Sequence, residues 1–309
     1  MDYSELTTEK VNPNTVNIDT CSTSDILKKI HAEDCKVADA VGKTLPEIEK
    51  AVDIIVARIK LGGRLIYVGA GTSGRLGVLD ASECPPTFGT DPGLVVGIIA
   101  GGDKALRNSI EGAEDCYSQG GGDLDLLQVS EKDAVVGISA SGNAPYVLGA
   151  LEHAKKLGAA TIALSNTYPG SVIQVADVAI VPIVGPEAIM GSTRMKAGTA
   201  QKMVLNMIST ASMIKLGKVY RNLMVDLSPS NKKLKDRTLR IITQATGVTR
   251  EEAEHSLQQA KGETKTAILS LLCGCEAEEA HRLLEKEQTI SKAASLYWDE
   301  MQGRKVVGK

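Results

Sequence analysis

The sequence is poor in aromatic side chains, which make up 3% of its residues and include one Trp and one Phe. Proteins that bind single-stranded nucleic acid stack the bases on exposed aromatic rings. The formal net charge of -3 also lacks the basic excess that is typical of general nucleic-acid binders. The sequence therefore predicts no nucleic-acid partner.

Long apolar segments are missing as well. No run reaches the length of about 18 apolar residues that a membrane-spanning helix needs, and the polar N-terminus has no apolar core of a secretory signal. The six cysteines are scattered and form no CxxC pair or Cys/His cluster of the kind that binds zinc. We therefore expect free thiols, a cytoplasmic location, no metal site and no membrane partner.

The sequence does contain an alternation of short apolar runs and helical segments. Continuous apolar strands that alternate with helices indicate a parallel sheet covered by helices on both faces. The sequence thus predicts an α/β fold with a doubly wound, five-stranded sheet. The five predicted strands begin at Leu65, Leu94, Ala134, Thr161 and Val178.

Three parts of different character are expected along the chain. Residues 1–55 form an N-terminal arm followed by helices, residues 56–220 form the sheet domain, and residues 231–309 form a small helical domain. The arm, up to about residue 22, is polar and is expected to stay loose or to wrap a partner subunit. Two helices are expected between the arm and the first strand.

The most informative stretch covers residues 64–86. It is interpreted as a buried strand, a glycine-rich turn at 69–74, a helix, and then the carboxylate Glu83 ahead of two prolines. Backbone N–H groups and the positive end of the helix dipole converge at such a turn, which makes it an anion site. The turn also carries two hydroxyls and a cation, which favour a phosphate: Thr72, Ser73 and Arg75.

A second hydroxyl-rich turn, residues 139–143, follows the third strand. Ligands of open parallel sheets bind beyond the carboxyl ends of the strands, so we expect the two turns to share one site. The first turn also satisfies the GxGxxG fingerprint of dinucleotide folds. However, the acid expected at the end of the second strand is replaced by Ala-Gly-Gly at 100–102. Two hydroxyl turns therefore favour a small sugar phosphate over a dinucleotide.

Four segments carry a resemblance to a known family. They are GAGTSGRLGVLDASECPPT, LVVGIIAGGDKALRNSIEGAED, GISASGNAPYV and IVGPEAIMGSTRMKAGTAQKMVLNMIST. Together they resemble the N-acetylmuramic acid 6-phosphate etherases, which are SIS-domain enzymes related to the regulatory protein of glucokinase. The resemblance covers nearly the whole chain, and ASECPPT and GSTRMKAGTAQK are not general features of SIS domains. The chain departs from sugar-isomerase domains at Asn143-Ala144, where a hydroxyl residue is more common.

The resemblance implies a SIS-type sheet with a small UBA-like helical segment at the C-terminus. It also implies a homodimer with sites near the subunit interface and an enzyme that uses no cofactor. The family removes D-lactate from position 3 of N-acetylmuramate 6-phosphate and leaves N-acetylglucosamine 6-phosphate. The resemblance implies that lactate is eliminated from the open-chain sugar and that water is then added. The expected enzyme class is therefore a carbon–oxygen lyase.

The resemblance places the catalytic carboxylates at Glu83 and Glu114. Glu83 is expected to protonate the departing lactate oxygen and then to activate water, and Glu114 is expected to move the C2 proton. On the residues alone, the favoured interpretation of Glu114 is a solvated acid on an exposed helix face.

The expected binding residues follow from the two turns and from the start of the last long helix. Hydroxyls and amides of the turns are expected to hold the phosphate. A cation at the helix start is expected to pair with the lactate carboxylate, although surface charges at a helix start are an equally good interpretation. The set is Gly71, Thr72, Ser73, Gly74, Ser139, Ser141, Gly142, Asn143, Ser192, Arg194 and Lys196.

Two other functions stay open on the sequence. A non-catalytic sugar-phosphate sensor of the same fold has no need for the Glu83/Glu114 pair. A phosphosugar isomerase of the same fold normally carries a His or Lys near the sugar, and none of the four histidines lies at a predicted strand end. An assay of free D-lactate separates the three functions.

Overall fold

The computed structural model describes residues 6–226 and 232–307. The first five residues of the predicted arm, and residues 231, 308 and 309 of the predicted C-terminal domain, lie outside the described residues. Contacts divide the chain into two compact units. One contains Met1–Glu83 and Asp91–Ser212, and the other contains Cys84–Thr90 and Met213–Lys309. The three-part division at 1–55, 56–220 and 231–309 stays a prediction.

The first unit is built on the predicted sheet of five parallel strands, in the order β2-β1-β3-β4-β5. Every residue of β1, β3 and β4 is buried, as expected of central strands with helices on both faces. The strands are β1 (Leu65–Gly69), β2 (Val95–Ile99), β3 (Ala134–Ser139), β4 (Ala160–Ser165) and β5 (Val178–Ile180).

Helices precede, connect and follow these strands. Between residue 6 and β1 the structure has three helices where the sequence predicts two; the additional helix, α2, has seven residues, too few to show a helical period. The helices are α1 (Thr23–Asp34), α2 (Lys36–Gly42), α3 (Leu45–Lys60), α4 (Gly71–Phe88), α5 (Lys104–Arg107), α6 (Tyr117–Leu126), α7 (Pro145–Lys156), α8 (Ser171–Val175) and α9 (Lys196–Lys215).

The glycine-rich stretch at 119–123 is predicted to be a loop, and this prediction is wrong because the stretch lies inside α6. A Cβ at Gly120 would lie 2.0 Å from the carbonyl oxygen of Tyr146 in α7, and a Cβ at Gly149 would lie 2.1 Å from that of Tyr117. The glycines therefore let two helix backbones approach each other closely. They serve helix packing rather than a loop.

The sequence also predicts one continuous helix that follows residue 103 and runs through about residue 117, and this prediction is wrong. The helix is interrupted after α5, and a 3-10 turn at Ala113–Asp115 comes before α6. Gly112, which precedes this turn, has φ +72°, a left-handed conformation that glycine adopts without strain. The interruption places Glu114 on an irregular connection instead of a helix face.

Glu83 lies within a helix, whereas the sequence predicts that the helix ends before it. Helix α4 continues to Phe88 and contains Pro85 and Pro86. Proline keeps φ close to the helical value, but each of these prolines lacks the N–H that would bond the carbonyl four residues earlier, at Ala81 and at Ser82. The Glu83 side chain is exposed on α4.

The described part of the N-terminal arm docks on its own chain, which corrects the expectation of a loose arm for these residues, while the alternative of a partner-wrapping arm stays a prediction. Four of its side chains from Leu6 to Thr15 are buried. Three hydrogen bonds join it to the segment between β5 and α9: Asn12 Nδ2 to the Pro186 carbonyl at 3.1 Å, Thr15 Oγ1 to the Ala188 carbonyl at 2.8 Å, and the Gly191 N–H to the Thr8 carbonyl at 3.3 Å. Asn14 Nδ2 also donates to Oε1 of Glu33 in α1 at 2.9 Å.

The second unit is helical and has its own apolar core, which includes Ile242, Ile268 and Leu283. Helix α11 begins with the predicted polar cap, a reciprocal capping box between Thr249 and Glu252. In the described residues no helix is both long and apolar enough to cross a membrane. The elements are β6 (Val219–Tyr220), β7 (Leu223–Met224), α10 (Lys232–Thr246), α11 (Arg250–Gln259), α12 (Thr264–Cys273), α13 (Ala277–Lys286) and α14 (Ile290–Val307).

Candidate active site

The strand order creates a crevice at one edge of the sheet. The chain crosses from β1 to β2 on one side and from β3 to β4 on the other, so β1 and β3 flank a topological switch point, where ligands of such sheets bind. Gly69 at the end of β1 is paired with Ile138 near the end of β3, so the two following turns start side by side. A cavity of about 290 Å³ lies at this point.

The cavity brings together side chains that the sequence predicts to belong to one site. Residues from both turns line it, together with Glu114 from the connection after α5. Hydroxyl groups and a carboxylate thus share one space at the switch point. The predicted site residues that line it are Gly71, Thr72, Ser73, Ser139, Ser141 and Glu114.

The turn after β1 leads directly into α4, a helix of 18 residues. Gly71 opens the helix with φ +53°, and Thr72 and Ser73 follow in its first turn. The N–H groups of a first turn have no helical acceptor and lie at the positive end of the helix dipole. This end of α4 therefore presents hydroxyl and amide donors to the cavity.

The Gly74 amide, which the sequence predicts to bind phosphate, has a hydrogen-bond partner within the chain. The Gly74 N–H donates to the Ala70 carbonyl at 3.2 Å. A Cβ at Gly74 would lie 2.6 Å from Cγ1 of Ile99 and 2.7 Å from the Gly69 carbonyl oxygen. Gly74 therefore lets α4 pack against the strands, which is the structural role of the last glycine in a GxGxxG turn.

In the turn after β3, the Oγ atoms of Ser139 and Ser141 lie 3.4 Å apart. Gly142 has φ +71°, and a Cβ there would lie 2.7 Å from Oγ of Ser165, so only glycine fits without strain. Asn143 uses its side chain inside the protein, donating to the Ser141 carbonyl at 2.8 Å and accepting from the Ser171 N–H at 3.0 Å. Gly142 and Asn143 therefore shape this turn, and the two serines face the cavity.

The connection that leads to Glu114 starts at the end of α5, which is bound by Arg75. The Arg75 guanidinium donates to the carbonyls of Ala105 at 2.7 Å and Leu106 at 3.0 Å, at the end of α5. These hydrogen bonds fix the start of the connection that leads to Glu114. Arg75 thus uses part of its guanidinium within the fold, and its contact with phosphate stays a prediction.

Glu83 is absent from the lining of this cavity. It follows Gly71 by twelve positions on the same helix, and at 1.5 Å per residue the two are about 18 Å apart along the axis. The two carboxylates predicted to act together are thus not brought together within one chain.

The segment before α9 contributes to the cavity through different residues than predicted. Gly191 and Thr193 line it, while Ser192 and Arg194 are their neighbours and Arg194 is exposed. Lys196, predicted as a possible partner of the lactate carboxylate, is 1% exposed. Its Nζ lies 2.6 Å from Oε2 of Glu33. The positive charge of Lys196 is therefore already paired within the fold.

Two buried carboxylates anchor the start of α9. Burial alone would raise the pKa of Glu33, but hydrogen bonds from Lys196, Lys36, Asn14 and Asn12 together lower it to about 2. Glu187 accepts hydrogen bonds from the backbone N–H groups of Lys196 and Ala197, both at 2.9 Å. Burial raises the pKa of Glu187 above its usual range in spite of these two donors.

Sequence reasoning missed two polar side chains of the lining, those of Glu9 and Thr193. Glu9 belongs to the docked arm, in a 3-10 turn at Thr7–Glu9. Nothing in the arm has helical or strand periodicity, and no motif marks its acid. Among the described residues, no group of three or more His, Cys, Asp or Glu side chains is placed to hold a metal ion.

Comparison with known proteins agrees with this geometry. A family model for the glucokinase regulatory protein N-terminal SIS domain matches residues 47–155, and one for the SIS domain matches residues 117–211. The N-acetylmuramic acid 6-phosphate etherase of Caldanaerobacter subterraneus subsp. tengcongensis is 60% identical over 285 residues, which cover 92% of this chain and 93% of that protein. The chain belongs to the N-acetylmuramic acid 6-phosphate etherase family. The predicted resemblance is confirmed.

A second etherase, from Enterobacter sp. strain 638, is 53% identical over 294 residues and shares 95% of this chain and 99% of its own length. Among solved structures, a phosphoheptose isomerase from Francisella tularensis is 18% identical, with a TM-score of 0.49. It matches 63% of this chain and 100% of its own. At that distance the likeness bears on neither substrate nor activity.

Proposed function

We propose that this chain is a carbon–oxygen lyase that cleaves the D-lactyl ether of N-acetylmuramate 6-phosphate to give D-lactate and N-acetylglucosamine 6-phosphate. The observation that carries the proposal is a single cavity at the switch point that combines hydroxyl donors from two turns with the carboxylate of Glu114. Membership of the etherase family, at 60% identity over 92% of the chain, supports it.

The phosphate is proposed to bind at the start of α4 and the turn after β3. The hydroxyls of Thr72, Ser73, Ser139 and Ser141 all line the cavity. The first-turn amides of α4, from Gly71 onward, add donors and the positive end of the helix dipole. Neutral donors of this kind hold a phosphate while the substrate's other end extends toward Glu114.

The reaction needs a base at C2 and an acid at the ether oxygen. When the open-chain aldehyde loses its C2 proton, the electron pair of that bond forms a C2–C3 double bond and the C3–O bond to lactate breaks. The departing lactate oxygen takes up a proton. Water then adds to C3 of the resulting alkene, and C2 regains a proton. We assign the C2 proton to Glu114, because it is the predicted catalytic carboxylate that lines the cavity.

Glu83 is proposed to act in the site of a second copy of the chain. The distance of about 18 Å along α4 from Gly71 to Glu83 is much longer than a hexose phosphate. Leu79, one turn before Glu83 and on the same face of α4, is a large apolar side chain that is 50% exposed. An interface on this face would cover Leu79 and deliver Glu83, so we propose a homodimer.

The lactate carboxylate is proposed to pair with Arg194 rather than Lys196. Arg194 is exposed beside Thr193, which lines the cavity, while Lys196 is buried and paired with Glu33. A planar guanidinium also matches a carboxylate in two hydrogen bonds. We further propose a cytoplasmic location, which suits a chain whose described cysteines form no disulfide.

Incubation with N-acetylmuramate 6-phosphate, followed by a stereospecific assay of D-lactate, tests the function. We expect lactate from the phosphorylated sugar and far less from N-acetylmuramate without phosphate, because the cavity then lacks its anchored group. Binding of the sugar phosphate without lactate would indicate a sensor. An isomerised sugar would indicate an isomerase. Either result would contradict the proposal.

A further inference from the structure

The docked arm places a second carboxylate at the cavity. Glu9 lines it together with Glu114 and the serines of the turn after β3. A Cβ built on Gly191 would lie 3.5 Å from Oε2 of Glu9, so the carboxylate lies directly against the backbone of Gly191. The mechanism proposed above uses Glu83 and Glu114 and leaves Glu9 without a task.

The position of Glu9 is held by its neighbours in the arm. Leu6 and Thr8 are 5% and 1% exposed. The Glu9 N–H donates to the Leu6 carbonyl at 3.0 Å, and the Thr8 carbonyl accepts from the Gly191 N–H at 3.3 Å. Buried residues on the turn and hydrogen bonds at its backbone therefore present the Glu9 side chain to the cavity in a defined place.

The chemistry of a carboxylate limits what it can bind here. An ionised carboxylate only accepts hydrogen bonds, and it repels other anions at close range. The substrate has two anionic groups, the phosphate and the lactate carboxylate, and Glu9 disfavours both. The neutral part of the substrate carries donors, namely the sugar hydroxyls and the acetamido N–H.

We propose that Glu9 is a specificity residue that accepts a hydrogen bond from a neutral O–H or N–H donor of the amino sugar. This inference rests on the function proposed above and adds a recognition element to its site. Glu9 binds the sugar part and keeps the anionic groups at the hydroxyl turns and at Arg194. The arm is thereby part of the substrate site, although residues 6–21 lie far from the strand ends in sequence.

Isothermal titration with three ligands tests the inference: N-acetylglucosamine 6-phosphate, glucose 6-phosphate and inorganic phosphate. The proteins are the wild type, Glu9→Ala, Glu9→Gln and, as a matched control, Lys10→Ala, which changes an exposed neighbour on the same arm. A hydrogen bond to a charged group is strong enough that Glu9→Ala should weaken N-acetylglucosamine 6-phosphate binding by about tenfold or more. Inorganic phosphate should bind Glu9→Ala as well as the wild type or better, and Lys10→Ala should change neither.

The ligands also identify the donor. A similar loss for both sugar phosphates supports a ring hydroxyl, and a loss for the acetylated sugar alone supports the acetamido N–H. Glu9→Gln keeps the size of the side chain and one acceptor, so it should lose less affinity than Glu9→Ala. Sugar-phosphate affinity of Glu9→Ala within about twofold of the wild type would overturn the inference, as would an equal loss for inorganic phosphate.

Thermal unfolding of each variant shows whether the arm still docks, since a loosened arm lowers the melting temperature. The D-lactate assay of the wild type keeps this inference separate from the proposed function. Lactate release by the wild type with normal binding by Glu9→Ala would reject only the role of Glu9. Glu9-dependent binding without lactate release by the wild type would reject only the etherase function.

Discussion

The cavity has two unlike walls. The donor wall, made of Thr72, Ser73, Ser139 and Ser141, follows two buried, paired strands of the sheet. The acceptor wall, made of Glu9 and Glu114, comes from two 3-10 turns on irregular connections. Regular strands therefore position the groups that anchor a ligand, and irregular segments deliver the groups that distinguish and transform it.

The two walls are also held in place differently. The donor wall is fixed by close packing, since Gly74 and Gly142 each leave no room for a Cβ. The acceptor wall depends on hydrogen bonds between segments, such as those from Arg75 to the carbonyls of Ala105 and Leu106 in α5 and from the Gly191 N–H to the Thr8 carbonyl. Substitutions in the donor wall should accordingly affect substrate affinity, and those in the acceptor wall should affect turnover and selectivity.

The largest expected effect concerns Glu83, which belongs to neither wall of its own chain. Glu83→Gln and Glu114→Gln should each lose at least about a hundredfold in lactate release, because each removes one proton transfer. If Glu83 acts in the partner's site, co-expression of the two variants creates mixed dimers with one intact and one doubly changed site. Activity should then return to about a quarter of the wild type, since half of the dimers are mixed.

The control for that experiment is co-expression of Glu83→Gln with itself, which restores nothing in either arrangement. Two carboxylates acting within the same chain would leave every mixed dimer inactive. Differently tagged chains purified in tandem give the mixed dimer directly. An inactive mixed dimer would contradict the proposed delivery of Glu83 across an interface.

The second prediction concerns the donor wall. Ser73→Ala combined with Ser141→Ala should raise KM for N-acetylmuramate 6-phosphate by about tenfold or more, because two hydrogen bonds to a charged phosphate are lost. The value of kcat should change much less. Steady-state kinetics measure both, and Ser82→Ala, on the same helix but exposed, should leave KM unchanged. An unchanged KM in the double variant would move the phosphate elsewhere.

The smallest expected effect on activity comes from Lys196, whose charge is used in the fold. Lys196→Met should destabilise the protein by about 3 kcal/mol near neutral pH, because it removes the buried one of the two cations that pair with Glu33. Lys36 also pairs with Glu33, but the Lys36 side chain is 51% exposed. Lys36→Met should therefore cost less than about 1 kcal/mol of stability. Denaturant unfolding measures both differences.

The pH dependence of that loss has a defined sign. The pKa of Glu33 is lowered from 4.5 to about 2 in the fold, so its ion pairs stabilise the protein above pH 4.5 and lose this effect as the pH falls toward 2. The stability difference between wild type and Lys196→Met should therefore shrink on acidification through this window. A difference that stays constant would show that packing, and not charge, explains the loss.

The donor wall could be predicted from the sequence because its information is local. An apolar run, a glycine turn and a hydroxyl lie next to each other in the chain at both Ser73 and Ser139, and parallel strands bring their ends to one edge. The strands were confirmed within one or two residues for the same reason. Buried strands of this kind have a clear apolar pattern.

The acceptor wall could not be predicted in the same way. Glu9 reaches the cavity because Thr8 and Gly191, nearly the length of the first unit apart in sequence, share a hydrogen bond. The glycines near Gly120 have the composition of a loop, but they let α6 pack closely against α7. The distance between two helices cannot be read from the sequence of one of them. The stretch around Lys196 has the composition of an anion site. The sequence does not show that the charge of Lys196 is already paired, because its buried partner, Glu33, lies on a helix distant in sequence.

The contrast between anchoring and chemistry is tested most directly by proton exchange at C2. N-Acetylglucosamine 6-phosphate is incubated in deuterated water with the wild type and with Glu114→Gln, and binding is measured for both. We predict deuterium at C2 with the wild type, none with Glu114→Gln, and sugar-phosphate binding by both proteins. Exchange that persists in Glu114→Gln would contradict the assignment of the C2 proton to the acceptor wall.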